Sequence, residues 1–278
     1  LETNLVYYWL GDLQESDRLR PSLQPAVEQY GSPGQRAVYF QDIVWIEFRR
    51  NRSVATAEMV SLAKAALKAQ QEAGNQAGIP SALFSVGFIL LWHGEPEAAC
   101  EPLRTALSMA EQTGDVSLQS RCLTYLTIAC RQCYQEAEAR QYAARSLEVA
   151  GQAQMPEYIA MAKANQAWLA WRENDPLQTA ELAHAALETW GQLPPGHASA
   201  PFQWLANWPL IAVARAGGDI ARALERVKAL LDPSQQRLPE ALEEGLKKAI
   251  QAWEGDMLEQ ARNLLSQSLA LAEQMHYL

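Results

Sequence analysis

The fold is decided by residues 78–114, which read GIPSALFSVGFILLWHGEPEAACEPLRTALSMAEQTG. Residues 81–92 are apolar on nearly every side, as expected of a helix that is buried on all its faces. Gly94 and Pro96 then interrupt the helix, because glycine suits a helix end and proline suits a first helical turn. After them, small and apolar residues recur at spacings of three and four and stop at Gly114. The stretch therefore predicts a helical hairpin.

The second helix of this hairpin recurs about every 40 residues along the chain. Four leucines mark the repeat, each with a small or apolar residue four positions earlier: Leu67, Leu107, Leu147 and Leu187, after Ala63, Leu103, Ala143 and Ala183. With small changes of spacing, the same stripe returns at 223–231 and 261–269 and reaches back to 19–27. A repeat of this length predicts stacked units, not a globule with one enclosed active site.

The repeat leads us to expect an all-α fold. Its form would be an α–α superhelix of about seven antiparallel helix pairs, with residues 1–278 as a single solenoid. Since the chain begins at Leu1 and its last residues lack a polar capping face, we expect it to be a segment of a longer protein. The rhythm breaks at 191–200 and again at 232–239. The break at 191–200 is either a loop of varied length or a bend or subdomain boundary.

Bulk composition narrows the functional classes. Hydrophobic residues make up 49% of the chain, the net charge is −9 and the isoelectric point is about 5.1. Because no basic run is present, we do not expect this segment to bind nucleic acid. No apolar run reaches the roughly 18 residues of a membrane span, and the N-terminal residues do not resemble a signal peptide. We therefore expect a cytoplasmic protein with no membrane partner.

Signatures of catalysis are missing from the sequence. It contains no nucleotide-binding loop and no metalloprotease or serine-hydrolase motif. Cys130 and Cys133 form a C-x-x-C pair, but a structural zinc site needs four ligands and no second pair is present. Cys130 also falls at a core position of its helix, where a small buried residue is expected. We expect no enzyme activity, no catalytic residues, no cofactor and no metal.

The helix, tight turn and alanine-rich second helix resemble the tetratricopeptide (TPR) repeat. The residues that carry the resemblance are Gly87, Ala99, Leu103 and Ala106; Ala167, Thr179, Ala183 and Ala186; and Ala249, Ala261, Leu265 and Ser268. The TPR period is about 34 residues, whereas this one is near 40. The longer form looks like the solenoid arms of large bacterial signal-transduction ATPases and transcription regulators. That resemblance implies an arm that senses an inducer or a partner.

Residues of the first helices would line the concave groove of a TPR-like solenoid. The repeat phase predicts seven groove candidates: Phe88, Arg131, Trp168, Trp171, Trp208, Arg215 and Trp253. Tryptophan and arginine are frequent in binding hot spots, so the groove would suit a peptide with apolar anchors and acidic groups, or a planar ligand. The alternative is that these aromatic side chains fill the core between stacked helices.

The leading functional hypothesis is a regulatory or sensor domain. It would bind a protein, a peptide or a small-molecule inducer in the concave groove and so shift an output domain. The alternative is a self-association module, in which exposed repeat faces join copies into a homo-oligomer.

Overall fold

The computed structural model describes residues 13–194, 197 and 199–278. Within these ranges helices predominate and there is no strand. The chain divides into two compact units, Leu1–Cys133 and Tyr134–Leu278.

Unit 1 contains six of the described helices. They are α1 (Leu13–Tyr30), α2 (Pro33–Arg50), α3 (Ala57–Glu72), α4 (Ile79–His93), α5 (Pro96–Thr113) and α6 (Val116–Gln132). Each helix packs against the next one in sequence, and α4 also contacts α6. The hairpin predicted for 78–114 corresponds to α4 and α5.

Unit 2 contains seven described helices and one short 3₁₀ turn, Ala200–Phe202. The helices are α7 (Glu136–Gln152), α8 (Pro156–Arg172), α9 (Pro176–Gly191), α10 (Trp204–Ala216), α11 (Ile220–Leu230), α12 (Glu240–Glu254) and α13 (Leu258–Gln274). Consecutive helices pack together, and α8 also contacts α10.

The prediction of an all-α fold built from helix pairs is confirmed. Thirteen α-helices in the described residues agree with about seven pairs. The first helix of the first pair would fall before residue 13, outside the part of the chain that the structure describes.

Helix ends follow the local chemistry of the repeat. Asp115, Asp175 and Asp219 precede α6, α9 and α11, and each side chain accepts a hydrogen bond from a backbone N–H of the first turn. This satisfies donors that the helix itself leaves unpaired. At the other end, Gly94 and Gly114 close α4 and α5 with φ of 93° and 72°, which glycine adopts without a steric cost.

Close contact between the two helices of a pair explains the small residues. Gly87 of α4 faces α5, where an added Cβ would lie 2.5 Å from Leu103 Cγ and 3.0 Å from the carbonyl oxygen of Ala99. Ala99, Leu103 and Ala106 are buried. Small residues at these positions therefore let the two backbones approach.

The two breaks in the repeat meet inside unit 2. The side chain of Gln235 donates to the carbonyl of Ala200 at 3.0 Å, and the backbone N–H of Gln236 donates to the carbonyl of Pro201 at 3.0 Å. The loop before α10 and the loop before α12 are thus joined to each other. Residues 195, 196 and 198 lie outside the described residues, and a bend at 191–200 stays a prediction.

Candidate binding surface

The seven groove candidates are distributed over both units. Phe88 and Arg131 belong to unit 1, while the two tryptophans of α8, the pair on α10 and the one on α12 belong to unit 2.

Phe88 is the centre of a buried aromatic cluster in unit 1. Its ring lies between 4.7 and 6.1 Å, centroid to centroid, from five other rings: Trp45, Phe48, Phe84, Trp92 and Tyr125. These rings come from α2, α4 and α6, which are all first helices of their pairs. Only 4% of Phe88 is exposed, so it joins three helices to one another. A contact of Phe88 with a ligand stays a prediction.

Arg131 is also buried, in the last turn of α6. Desolvation lowers the pKa of its guanidinium to about 9, because burial disfavours the charged form. That pKa still leaves the side chain protonated at neutral pH. Its position suits a cation, since the carboxyl end of a helix carries partial negative charge.

In unit 2 the candidates fall into two classes of exposure. Trp168 and Trp208 are buried, and Trp168 packs with Leu169 and Ala143. Trp171, Arg215 and Trp253 are partly exposed, and each lies in the last turn of its helix. Partner contacts from this set are therefore available mainly at the carboxyl ends of α8, α10 and α12.

The chain itself covers part of this surface. Residues 273–278, termed the covering segment below, place the ring of Tyr277 5.0 Å from Trp204 and 6.1 Å from Trp208, centroid to centroid. Burial raises the pKa of the Tyr277 phenol to about 12. Leu278 is buried as well. The aromatic side of α10 is therefore already in contact with the ring of Tyr277.

Polar contacts hold α13 and the first residue of the covering segment in position. Arg215 donates from Nε to Ser266 Oγ at 2.9 Å, and Arg172 Nη1 lies 3.5 Å from Glu273 Oε1. Ser266 contacts Arg215 near the end of α10, whereas the later residue Tyr277 contacts Trp204 at the start of α10. Hence α13 and the residues after it run antiparallel to α10.

Arg172 contacts both an aromatic ring and carboxylates. Its guanidinium lies 5.8 Å from the ring centroid of Trp168, within the range of a cation–π interaction. It also forms a salt bridge of 2.9 Å with Glu136. One arginine thus links α7, α8 and α13.

The cysteines are arranged as small buried residues. Cys130 and Cys122 have no exposed surface, and none of the four cysteines forms a disulfide. Burial raises the pKa of Cys122 to about 12, and burial together with Glu97 raises that of Cys133 to about 12. Within the described residues, no three His, Cys, Asp or Glu side chains come together as metal ligands would.

The covering segment was missed at the level of sequence. From residues 275–278 we inferred only a repeat face without a polar cap. The feature that could have indicated the covering segment is an acidic residue in the last helical turn, followed by Tyr277 and Leu278. The sequence pattern could not reveal that Ser266 and Tyr277 contact α10, because the repeat predicts contacts between consecutive helices only.

No described helix is both long and apolar enough to cross a membrane. No family model matches the chain, and a comparison with curated proteins finds no match.

Proposed function

We propose that this chain is a non-catalytic binding module with TPR-like long repeats. It acts as the regulatory or sensor part of a larger bacterial signalling protein in the cytoplasm. Its ligand is a peptide of a partner protein that binds to the first helices of unit 2, at α8 and α10.

The covering segment is the observation that carries this proposal. It brings acidic Glu273 to Arg172 and aromatic Tyr277 to Trp204 and Trp208. Acidic groups and apolar anchors are what the tryptophans and arginines of the first helices would favour. A partner peptide with the same side chains can make the same contacts once the covering segment leaves.

The arrangement of helices supports the TPR-like part of the proposal. First helices of successive pairs contact each other, α4 with α6 and α8 with α10. Trp171 and Arg215, in the last turns of α8 and α10, are partly exposed.

The covering segment and a partner peptide would compete for the same surface, and this competition would regulate binding. The covering segment is covalently attached, so its effective concentration at the surface is high, on the order of millimolar. A partner shifts the equilibrium only by as much as it favours the uncovered state. Binding therefore couples partner concentration to the position of α13.

A labelled peptide of residues 271–278, LAEQMHYL, tests the proposal by fluorescence anisotropy. Substituting Tyr277→Ala in the chain removes the main anchor of the covering segment. We expect this variant to bind the peptide at least about tenfold more tightly than the wild type, a difference of about 1.4 kcal/mol. A Glu273→Gln chain, which keeps the buried ring, should show a smaller increase.

Two controls define the result. Tyr30→Ala changes a tyrosine that is 78% exposed in unit 1, so it should bind the peptide as weakly as the wild type does. A peptide with alanine in place of tyrosine should not bind. If the Tyr277→Ala and Glu273→Gln chains keep wild-type helicity and neither binds the peptide, the proposal is wrong.

A further inference from the structure

A cluster of basic side chains lies on the second helices of unit 2. His184 belongs to α9, and Arg222 and Arg226 are one turn apart on α11. Arg222 Nη2 donates a hydrogen bond to His184 Nε2 at 3.0 Å. Since Nε2 accepts this bond, the imidazole is neutral. The proposed peptide surface is on first helices, so this cluster is a separate feature.

The positive charge of the cluster has no counter-ion in the described part of the chain. In unit 2, salt bridges join Arg140, Arg172 and Arg262 to glutamates. Among the residues that the structure describes, no carboxylate lies within salt-bridge distance of Arg222 or Arg226. Nε of Arg226 is moreover buried without a hydrogen-bond acceptor. A buried donor without an acceptor costs free energy, which a bound acceptor would recover.

The pKa of His184 is affected by the neighbouring arginines. Burial, then Arg222, then Arg226, lowers the pKa of His184. Glu181 and Glu188 lie on α9 near His184 along the helix, and both are exposed.

We infer that His184, Arg222 and Arg226 form a binding site for the phosphate group of a small molecule. Guanidinium groups present donors in a planar fork that matches phosphate oxygens. Donors from two helices converge here, and phosphate offers three acceptor oxygens to them. A carboxylate offers only two oxygens and a single charge, which leaves one arginine without a counter-ion.

Inorganic phosphate is the probe. The full chain is titrated with it at constant ionic strength, and ¹⁵N NMR follows the side chains of His184, Arg222 and Arg226. We expect saturable shifts of all three and a rise in the pKa of His184, because a nearby anion favours the imidazolium. Acetate at the same ionic strength is the second titrant.

Matched variants assign the site. Arg222→Gln and Arg226→Gln should each weaken phosphate binding by at least about tenfold, as expected for the loss of a charge-assisted hydrogen bond. Arg262→Gln removes an arginine of α13 that already pairs with Glu259, so binding should equal that of the wild type. The thermal unfolding midpoint of each variant is measured beside that of the wild type. Because Arg222 is exposed, we expect the Arg222→Gln variant to keep the wild-type midpoint.

Three outcomes would overturn the inference. One is a shift that grows linearly with phosphate without saturation, and another is undiminished binding by both arginine variants. The third is an affinity for acetate equal to that for phosphate, which would mean that the cluster recognises any anion.

Discussion

The phenol ring of Tyr277 lies 5.0 Å from the indole ring of Trp204, at an interplanar angle of 69°. Such edge-to-face contacts add stability beyond the apolar area that they bury. This contact fixes the residues after α13 against α10, and the proposed function depends on it.

Tyr277→Ala should destabilise unit 2. The change removes a largely buried ring and its contacts with Trp204 and Trp208, so we expect a loss of about 2–4 kcal/mol in the free energy of unfolding. Urea titration followed by tryptophan fluorescence measures it. Tyr30→Ala, at an exposed position, should stay within about 0.5 kcal/mol of the wild type. Equal stability of the two variants would show that Tyr277 is not anchored.

The free energy of unfolding should fall at alkaline pH because of Tyr277. The pKa of Tyr277 is about 12 in the folded chain, whereas an unfolded tyrosine ionises near pH 10. Between these values the folded state keeps a proton that the unfolded state has lost, so stability decreases as pH rises. The contribution is fully present below about pH 10. Urea unfolding between about pH 9 and about pH 11 should show it, and Tyr277→Phe should flatten the slope by up to about 1.4 kcal/mol per pH unit.

Gly87→Ala should disturb the packing of α4 on α5. The new Cβ would lie 2.5 Å from Leu103 Cγ and 3.0 Å from a backbone oxygen, so the helices must separate. We expect a loss of about 1–3 kcal/mol, measured by chemical denaturation. Gly151→Ala is the matched control, because its Cβ meets nothing within 4 Å and the residue lies in α7. That variant should gain about 0.5–1 kcal/mol from helix propensity.

Gln235→Ala should loosen the contact between the two loops of unit 2. It removes the donor to the carbonyl of Ala200 and should cost about 1 kcal/mol. Limited proteolysis is expected to cut residues 191–200 faster in this variant than in the wild type. Gln192→Ala, at an exposed position, should leave the cleavage rate unchanged. Unchanged rates in both variants would mean that the cross-loop bond does not hold the loop.

The thiols of Cys122 and Cys133 should resist alkylation in the folded chain. With each pKa raised to about 12, almost no thiolate is present at pH 8. Iodoacetamide labelling followed by mass spectrometry should be at least about 100-fold slower than in urea-unfolded chain. Rapid labelling of Cys133 in the folded chain would restore a redox or metal interpretation of the C-x-x-C pair.

Much of the architecture was predictable from local pattern. The hairpin of residues 78–114 and the breaks before α10 and α12 are properties of neighbouring residues, since helix ends depend on local glycine, proline and aspartate. The burial of Cys130 was predictable as well, from its place in the repeat. For Phe88, Trp168 and Trp208 the pattern left both core and groove open, because helical spacing is the same in both cases.

The sequence by itself determined that this chain is all helical and repeats in pairs near 40 residues, because apolar spacing selects helices and recurs with the repeat. Only the tertiary structure decided that Tyr277 packs on Trp204, that Arg172 joins Glu136 and Glu273, and that Arg222 meets His184. The reason is that such contacts join helices far apart in sequence. Their partners depend on how pairs stack, which no local pattern specifies.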